Sequence, residues 1–309
     1  MKSGNNSPPA TVTTPESETR QAIQPADSTP LTNTISDSIV FWERLMQCQT
    51  YKEVQQATLD TVLPPLPSLP EVTFVTHKRV VDNSAVKLLT DEVECMGLLP
   101  TNIYGDGNCL PRCGSVLIYG DEEKHLDIRA RIIMELVVNE AKYLDDKFLE
   151  EGSNVSLGRK NFARQFAITI LGGKLTYLAI QRVIQAEVLR LCRSGTYMGI
   201  WQVAALSNII QTDVVSVYPR YGGQTVRNDL NRTFVPFEKV ELKKNKVYIM
   251  WSNIHGNKPP EEWHPNHFVT LLRMFPDEKK ELASVGQEMR ELSPIAFMED
   301  SDVLQHQFH

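Results

Sequence analysis

Helical spacing governs the apolar residues from 109 to 210, and short strand-like runs take over after it; that order most constrains the fold. Apolar residues at i, i+3 and i+4 predict helices over Cys109–Tyr119, Asp127–Leu149, Phe162–Leu171, Leu175–Leu191 and Ile200–Ile210. Runs rich in β-branched and aromatic residues predict strands at Val214–Tyr218, Thr225–Arg227, Thr233–Phe237, Val247–Trp251 and Phe268–Leu272. A strand at Val72–Val75 and a helix at Val86–Met96 are expected upstream. Helices first and a cluster of short strands afterwards predict an α+β fold, with helices packed on a small central sheet.

The ends differ in texture. Residues 1–36 are dominated by Ser, Thr, Pro, Asn and Gln and cannot bury enough apolar surface to offset their ordering entropy, so a disordered tail is expected. Residues 37–97 read as a helical N-terminal region and linker. Ile39, Phe41, Trp42, Leu45 and Met46 give a first helix its apolar side, and Thr50-Tyr51-Lys52-Glu53 is a capping-box pattern that opens a second. Pro64-Pro65-Leu66-Pro67-Ser68-Leu69-Pro70 then stops any helix and favours an extended chain. The main domain is expected over 98–275, and a polar C-terminal tail over 276–309.

Composition narrows the function classes. The 309 residues carry 32 Lys+Arg against 38 Asp+Glu, a formal charge of −6, which disfavours sequence-independent nucleic-acid binding because that requires phosphate neutralisation. No apolar run is long enough for a membrane span. The five cysteines are odd in number and irregularly spaced, and the N-terminus shows no charged-then-apolar signal segment. Together these predict a reducing, intracellular setting, cytoplasmic or nuclear.

Among the cysteines, Cys109 has the most chemical context. It follows Asp106-Gly107-Asn108, and Pro111 is well placed in a first helical turn, so a helix starts at or beside it. Exposed amides and the helix dipole lower a thiol pKa, but the dipole is worth only ~0.3–2 kcal/mol, so a second positive group is needed. Of seven histidines, His267 stands at the mouth of the apolar strand Phe268–Leu272, a rigid platform for a general base; His264 is the competitor, set in a loop by Pro265. Cys109 and Cys113 have no matching second pair, which speaks against zinc. No cofactor is expected: neither a phosphate-cradling glycine loop nor a Gly-x-Ser-x-Gly elbow is present.

Three blocks then resemble, in order, the OTU (ovarian tumour) family of cysteine proteases. Asp106-Gly107-Asn108-Cys109-Leu110 with Arg112 resembles its nucleophile motif. Met198-Gly199-Ile200-Trp201-Gln202-Val203-Ala204-Ala205-Leu206-Ser207 and the strand Asp213–Tyr218 resemble its middle helix and strand. Asn266-His267-Phe268-Val269 resembles its catalytic-histidine strand. The resemblance implies a papain-type cysteine protease fold and a deubiquitinase that uses no metal, with ubiquitin or a ubiquitin-like protein as partner. It implies Cys109 as nucleophile, His267 as general base, an oxyanion hole of amides around Gly107 and Cys109, and Asp106 shaping that loop. Two departures stand out: Val269 occupies the place where many members carry an Asp or Asn that orients the histidine, leaving Asp106 and Asn253 as candidates, and Pro111 replaces an aromatic. Tyr119–Arg131, Ile200–Tyr218 and Tyr248-Ile249-Met250-Trp251 are similar to the vertnin-like branch of the family. That likeness implies an alternative, a catalytically weak binding or regulatory scaffold.

Overall fold

The computed structural model describes residues 31–70, 79–145, 148, 176–221, 224–238, 246–254 and 263–273. Residues 1–30, the expected strand at Val72–Val75, the expected helix at Phe162–Leu171 and the tail from 276 lie outside the described residues.

The chain opens with α1 (Leu31–Gln47) and α2 (Tyr51–Leu59). Helix α1 begins at Leu31, inside the stretch expected as a tail up to residue 36. Once the packed half of a helix is nucleated, each residue added upstream brings one hydrogen bond, and no breaker intervenes before Pro30. Its buried positions are Ser38, Phe41, Trp42 and Leu45, the i, i+3, i+4, i+7 stripe; Ile39 and Met46, expected on the apolar side, are exposed. The capping box of α2 is formed in both directions: Glu53 N–H donates to Thr50 Oγ1 at 3.3 Å, and Thr50 N–H to Glu53 Oε2 at 3.2 Å.

The single helix expected over Val86–Met96 is two short ones, α3 (Asn83–Val86) and α4 (Asp91–Cys95). The Asp82 side chain accepts from the amides of Ser84 and Ala85, which starts α3 earlier and in another direction. Strand β1 (Leu98–Pro100) was not expected. Next come α5 (Cys109–Tyr119), with the bounds read from sequence, α6 (His125–Val138) and α7 (Glu140–Tyr143). The last two replace one long helix, broken at Asn139. Helices α8 (Tyr177–Leu191) and α9 (Ile200–Ile210) follow as expected.

Strand β2 (Val214–Val217) leads to α10 (Gln224–Leu230), where a strand at Thr225–Arg227 was expected. Arg227 decides this: its guanidinium donates to the carbonyls of Pro219, Arg220 and Tyr221 and curls the chain back. Strands β3 (Arg232–Phe234), β4 (Val247–Ser252) and β5 (His267–Arg273) complete a five-stranded sheet of order β1-β5-β4-β2-β3. Only the β2–β4 pair is parallel. A bridge between Val81 and Thr101 adds the chain before α3 to the β1 side.

The fold is therefore α+β, with helices on a small mixed sheet. Helix α5 is the centre of the core, packed against β5, α6 and α9. Trp201, Ala204, Leu206, Val217, Ile249 and Val269 are buried in this core, and Val215 is half-buried.

Candidate functional site

The turn before α5 is built by Asp106. Its carboxylate accepts from the Asn108 N–H and Nδ2, each at 2.9 Å, and from Arg112 Nε at 3.2 Å and Nη2 at 2.7 Å. Partial burial works against the charge, but the donors from Arg112 and Asn108 hold this carboxyl well below the usual range. Asp106 thus shapes the turn, as expected, and all its strong acceptor sites are used there. Gly107 closes the turn at φ +81, where a side chain is strained.

A second layer locks this turn. Arg129, buried completely on α6, donates to Asn108 Oδ1 at 2.9 Å, Leu191 O at 3.0 Å, Gly107 O at 3.2 Å and Thr196 O at 2.5 Å. The Trp42 ring of α1 lies 5.9 Å from its guanidinium carbon. Burial, with Arg190 adding to it, lowers the Arg129 pKa to about 10, so it stays charged at neutral pH. The segment 193–199 lies across the turn. Gly195 N–H donates to Asn108 Oδ1 at 3.3 Å, and a Cβ on Gly107 would stand 1.8 Å from Gly195 O. Tyr197 stacks on Phe268 with centroids 5.6 Å apart and rings 13° from parallel.

Cys109 is the first residue of α5 and is 1% exposed. Helix α5 packs against β5, and the backbone of Phe268, the residue after His267, favours the thiolate of Cys109, as do those of Leu110 and Cys109 itself. Residues half the chain apart are thus brought together: the head of β5 against the start of α5. The helix dipole, too weak alone to activate the thiol, is here opposed by burial. Burial pushes its pKa up to about 11, and the three amides offset only part of that. Cys113, one turn on, is fully buried in the core.

His267 is 2% exposed. Burial pulls its pKa below the ordinary value, against the charges of Asp82 and Asp106 and the Ile103 backbone. Its Nδ1 has no hydrogen-bond partner among the described residues. Val269 is buried and apolar, and Asn253 Nδ2 donates to His264 O at 2.5 Å, so its amide holds the loop before β5. His264 is exposed.

The sequence reading missed Arg129, Asp82 and the segment 193–199. Arg129 had a signal: it stands on the stripe 129/132/133/136, where a charge among core positions must be compensated. Asp82 signalled only a helix cap. Among the described residues, no group of three His, Cys, Asp or Glu side chains is placed to hold a metal ion. None of the described helices is long and apolar enough to cross a membrane.

A cysteine opening a buried helix against the last strand of a small mixed sheet, behind an Asp-Gly-Asn turn, is consistent with an α+β OTU fold. Residues 100–252, just under half of the chain, match the family described as Vertnin, OTU domain, and this match supports a vertnin-like OTU domain. That match contains Asp106 and Cys109 and ends before His267. Vertnin of Danio rerio is 25% identical over 213 residues, covering 67% of this chain and 30% of that protein. Vertnin of Homo sapiens is 24% identical over 176 residues, covering 56% of this chain and 24% of that protein. The chain therefore spans less than a third of the length of these curated relatives. Among solved structures, the OTU domain of OTUD1 aligns with a TM-score of 0.37 at 13% identity, covering 61% of this chain and 95% of that one. The viral OTU domain protease from Farallon virus aligns at 0.32 and 12% identity, covering 58% and 93%.

Proposed function

We propose that the domain is an OTU-type thiol hydrolase that cleaves the isopeptide or peptide bond at the C-terminus of ubiquitin or a ubiquitin-like protein. The setting is a reducing intracellular compartment, which its five free thiols support. The observation that carries the reading is the packing of α5, which Cys109 opens, against β5, which His267 opens. In the reaction His267 takes the thiol proton, and the thiolate attacks the scissile carbonyl carbon. Amides around Gly107 and Cys109 hold the oxyanion, and Asp106 keeps that turn in shape. The tetrahedral intermediate collapses as His267 returns the proton to the leaving lysine amine. Water then hydrolyses the thioester and frees the enzyme. The thiol is neutral at rest, so substrate entry has to uncover it.

A second reading, a catalytically weak OTU-like binding or regulatory scaffold, is favoured by one observation: both groups are buried and neutral, and the His267 Nδ1 is unpartnered. One experiment separates the two. Ubiquitin with a C-terminal electrophile is incubated with the wild-type chain, Cys109→Ser and Cys95→Ser. The hydrolase reading expects an adduct that Cys109→Ser loses and Cys95→Ser keeps. Ubiquitin binding without an adduct overturns it in favour of the scaffold.

A further inference from the structure

We propose that residues 193–199 form a latch that closes Cys109 and is held shut by the N-terminal helices α1 and α2. The inference concerns access to the sulfur and holds whether or not the domain cleaves ubiquitin.

The latch is fastened at both sides of the site. On the side of the nucleophile turn the contact is backbone on backbone: Gly195 O fills the space a Gly107 Cβ would take, and Gly195 N–H donates to the Asn108 side chain. Both glycines have positive φ, +81 and +74, so each conformation suits the other and tolerates little else. Tyr197 then lays its ring on Phe268, beside the sulfur, and its hydroxyl is buried without a hydrogen-bond partner. A buried hydroxyl left unpaired costs about 1–3 kcal/mol, which makes this end the weakly held one.

On the far side the fastening comes from the N-terminal helices. Arg193 donates to Met46 O at the end of α1, to Cys48 O at 3.1 Å and to Gln49 Oε1 at 3.3 Å. Cys48 and Gln49 lie in the short connection between α1 and α2. Trp42 of α1 packs on Arg129, which grips Thr196 O of the latch and Gly107 O of the turn together. The N-terminal helices therefore touch the latch directly through Arg193 and indirectly through Arg129. Arg193 is exposed and the contacts it makes are to neutral oxygens, so this fastening can be released without stranding a buried charge. A partner that draws α1 and α2 away would release the latch and uncover Cys109.

Site-resolved alkylation of the full chain with iodoacetamide, read by mass spectrometry, tests this. The protein supplies its own controls: Cys95 is exposed, and Cys113 is buried one turn beyond Cys109. Arg193→Ala is expected to raise the Cys109 rate at least ten-fold relative to Cys95 while Cys113 stays protected. Gly195→Ala loosens the other side, since its Cβ would lie 3.1 Å from Asp106 O at a positive φ, and the same selective rise is expected. An unchanged Cys109 rate in both variants overturns the latch. Equal rises at Cys109 and Cys113 overturn it too, because they report global opening. A selective rise with no ubiquitin adduct supports the latch and rejects the hydrolase.

Discussion

The two halves of the site are built to different standards. The start of α5 is over-determined: Asp106, Asn108, Arg112 and Arg129 hold its turn through eight side-chain hydrogen bonds to the turn and to the latch, and two glycines lock backbone to backbone. The head of β5 is held by main-chain pairing of His267 with Ser252 and by packing, while the imidazole Nδ1 has no partner. A polar turn carved into a core must satisfy every group or fail, so it is rigid. The His267 ring is buried, with the Ile103 backbone acting on it and no partner at Nδ1. The start of α5 is thus held by many polar contacts, and the head of β5 by strand pairing and packing.

The contrast breaks most visibly at Arg129. Arg129→Met leaves Asn108 Oδ1 and three carbonyls short of a donor. A loss of about 3–5 kcal/mol is expected in urea unfolding, and a loss below about 1 kcal/mol would show the turn to be held by other contacts. Gly107→Ala comes next. Positive φ alone costs about 1–3 kcal/mol, and the collision with Gly195 O adds to it. Gly97→Ala is the reference, because Gly97 has φ +67 and nothing within 4 Å, so the difference between the two midpoints reads the collision. A third, smaller effect separates the cysteines. Cys113→Ser places a hydroxyl in the core and should cost about 1–3 kcal/mol. Cys109→Ser keeps an acceptor facing the Phe268 and Leu110 amides and should stay near wild type in thermal unfolding.

The smallest effect belongs to His267. Burial sets its folded pKa below 6.5, so the unfolded chain takes that proton more readily. Its contribution to stability is complete above 6.5 and is lost as pH falls from there toward the folded value. His267→Leu should flatten that part of the curve while changing stability at neutral pH by less than about 1 kcal/mol, since no Nδ1 hydrogen bond is lost. Thermal unfolding from about pH 7.5 to 5 checks it; an unchanged slope would mean that other groups carry the acid response.

How far each part was legible follows from range. Helices α5 and α9 carry their own periodicity and turn residues, so Cys109–Tyr119 and Ile200–Ile210 were readable with their bounds. The capping box of α2 was readable for the same reason: four neighbouring residues suffice. Strand β1 was not, because three residues become a strand only when β5 arrives to pair with them. The helix α10 was misread because its cause is Arg227 reaching back to three carbonyls.

The sequence by itself determined the α+β class and the Asp106-Gly107-Asn108-Cys109 turn at the head of a helix, since these rest on local periodicity and turn residues; it also singled out Cys109 and His267, the two residues of the proposed chemistry. Only the tertiary structure decided what state those residues are in. Local rules gave Cys109 a dipole and exposed amides, which favour a thiolate; packing against β5, α6 and residues 193–199 removed water from the sulfur, and desolvation outweighed the amides. A thiol's charge depends on how much water reaches it, and that is a property of residues far away in the chain.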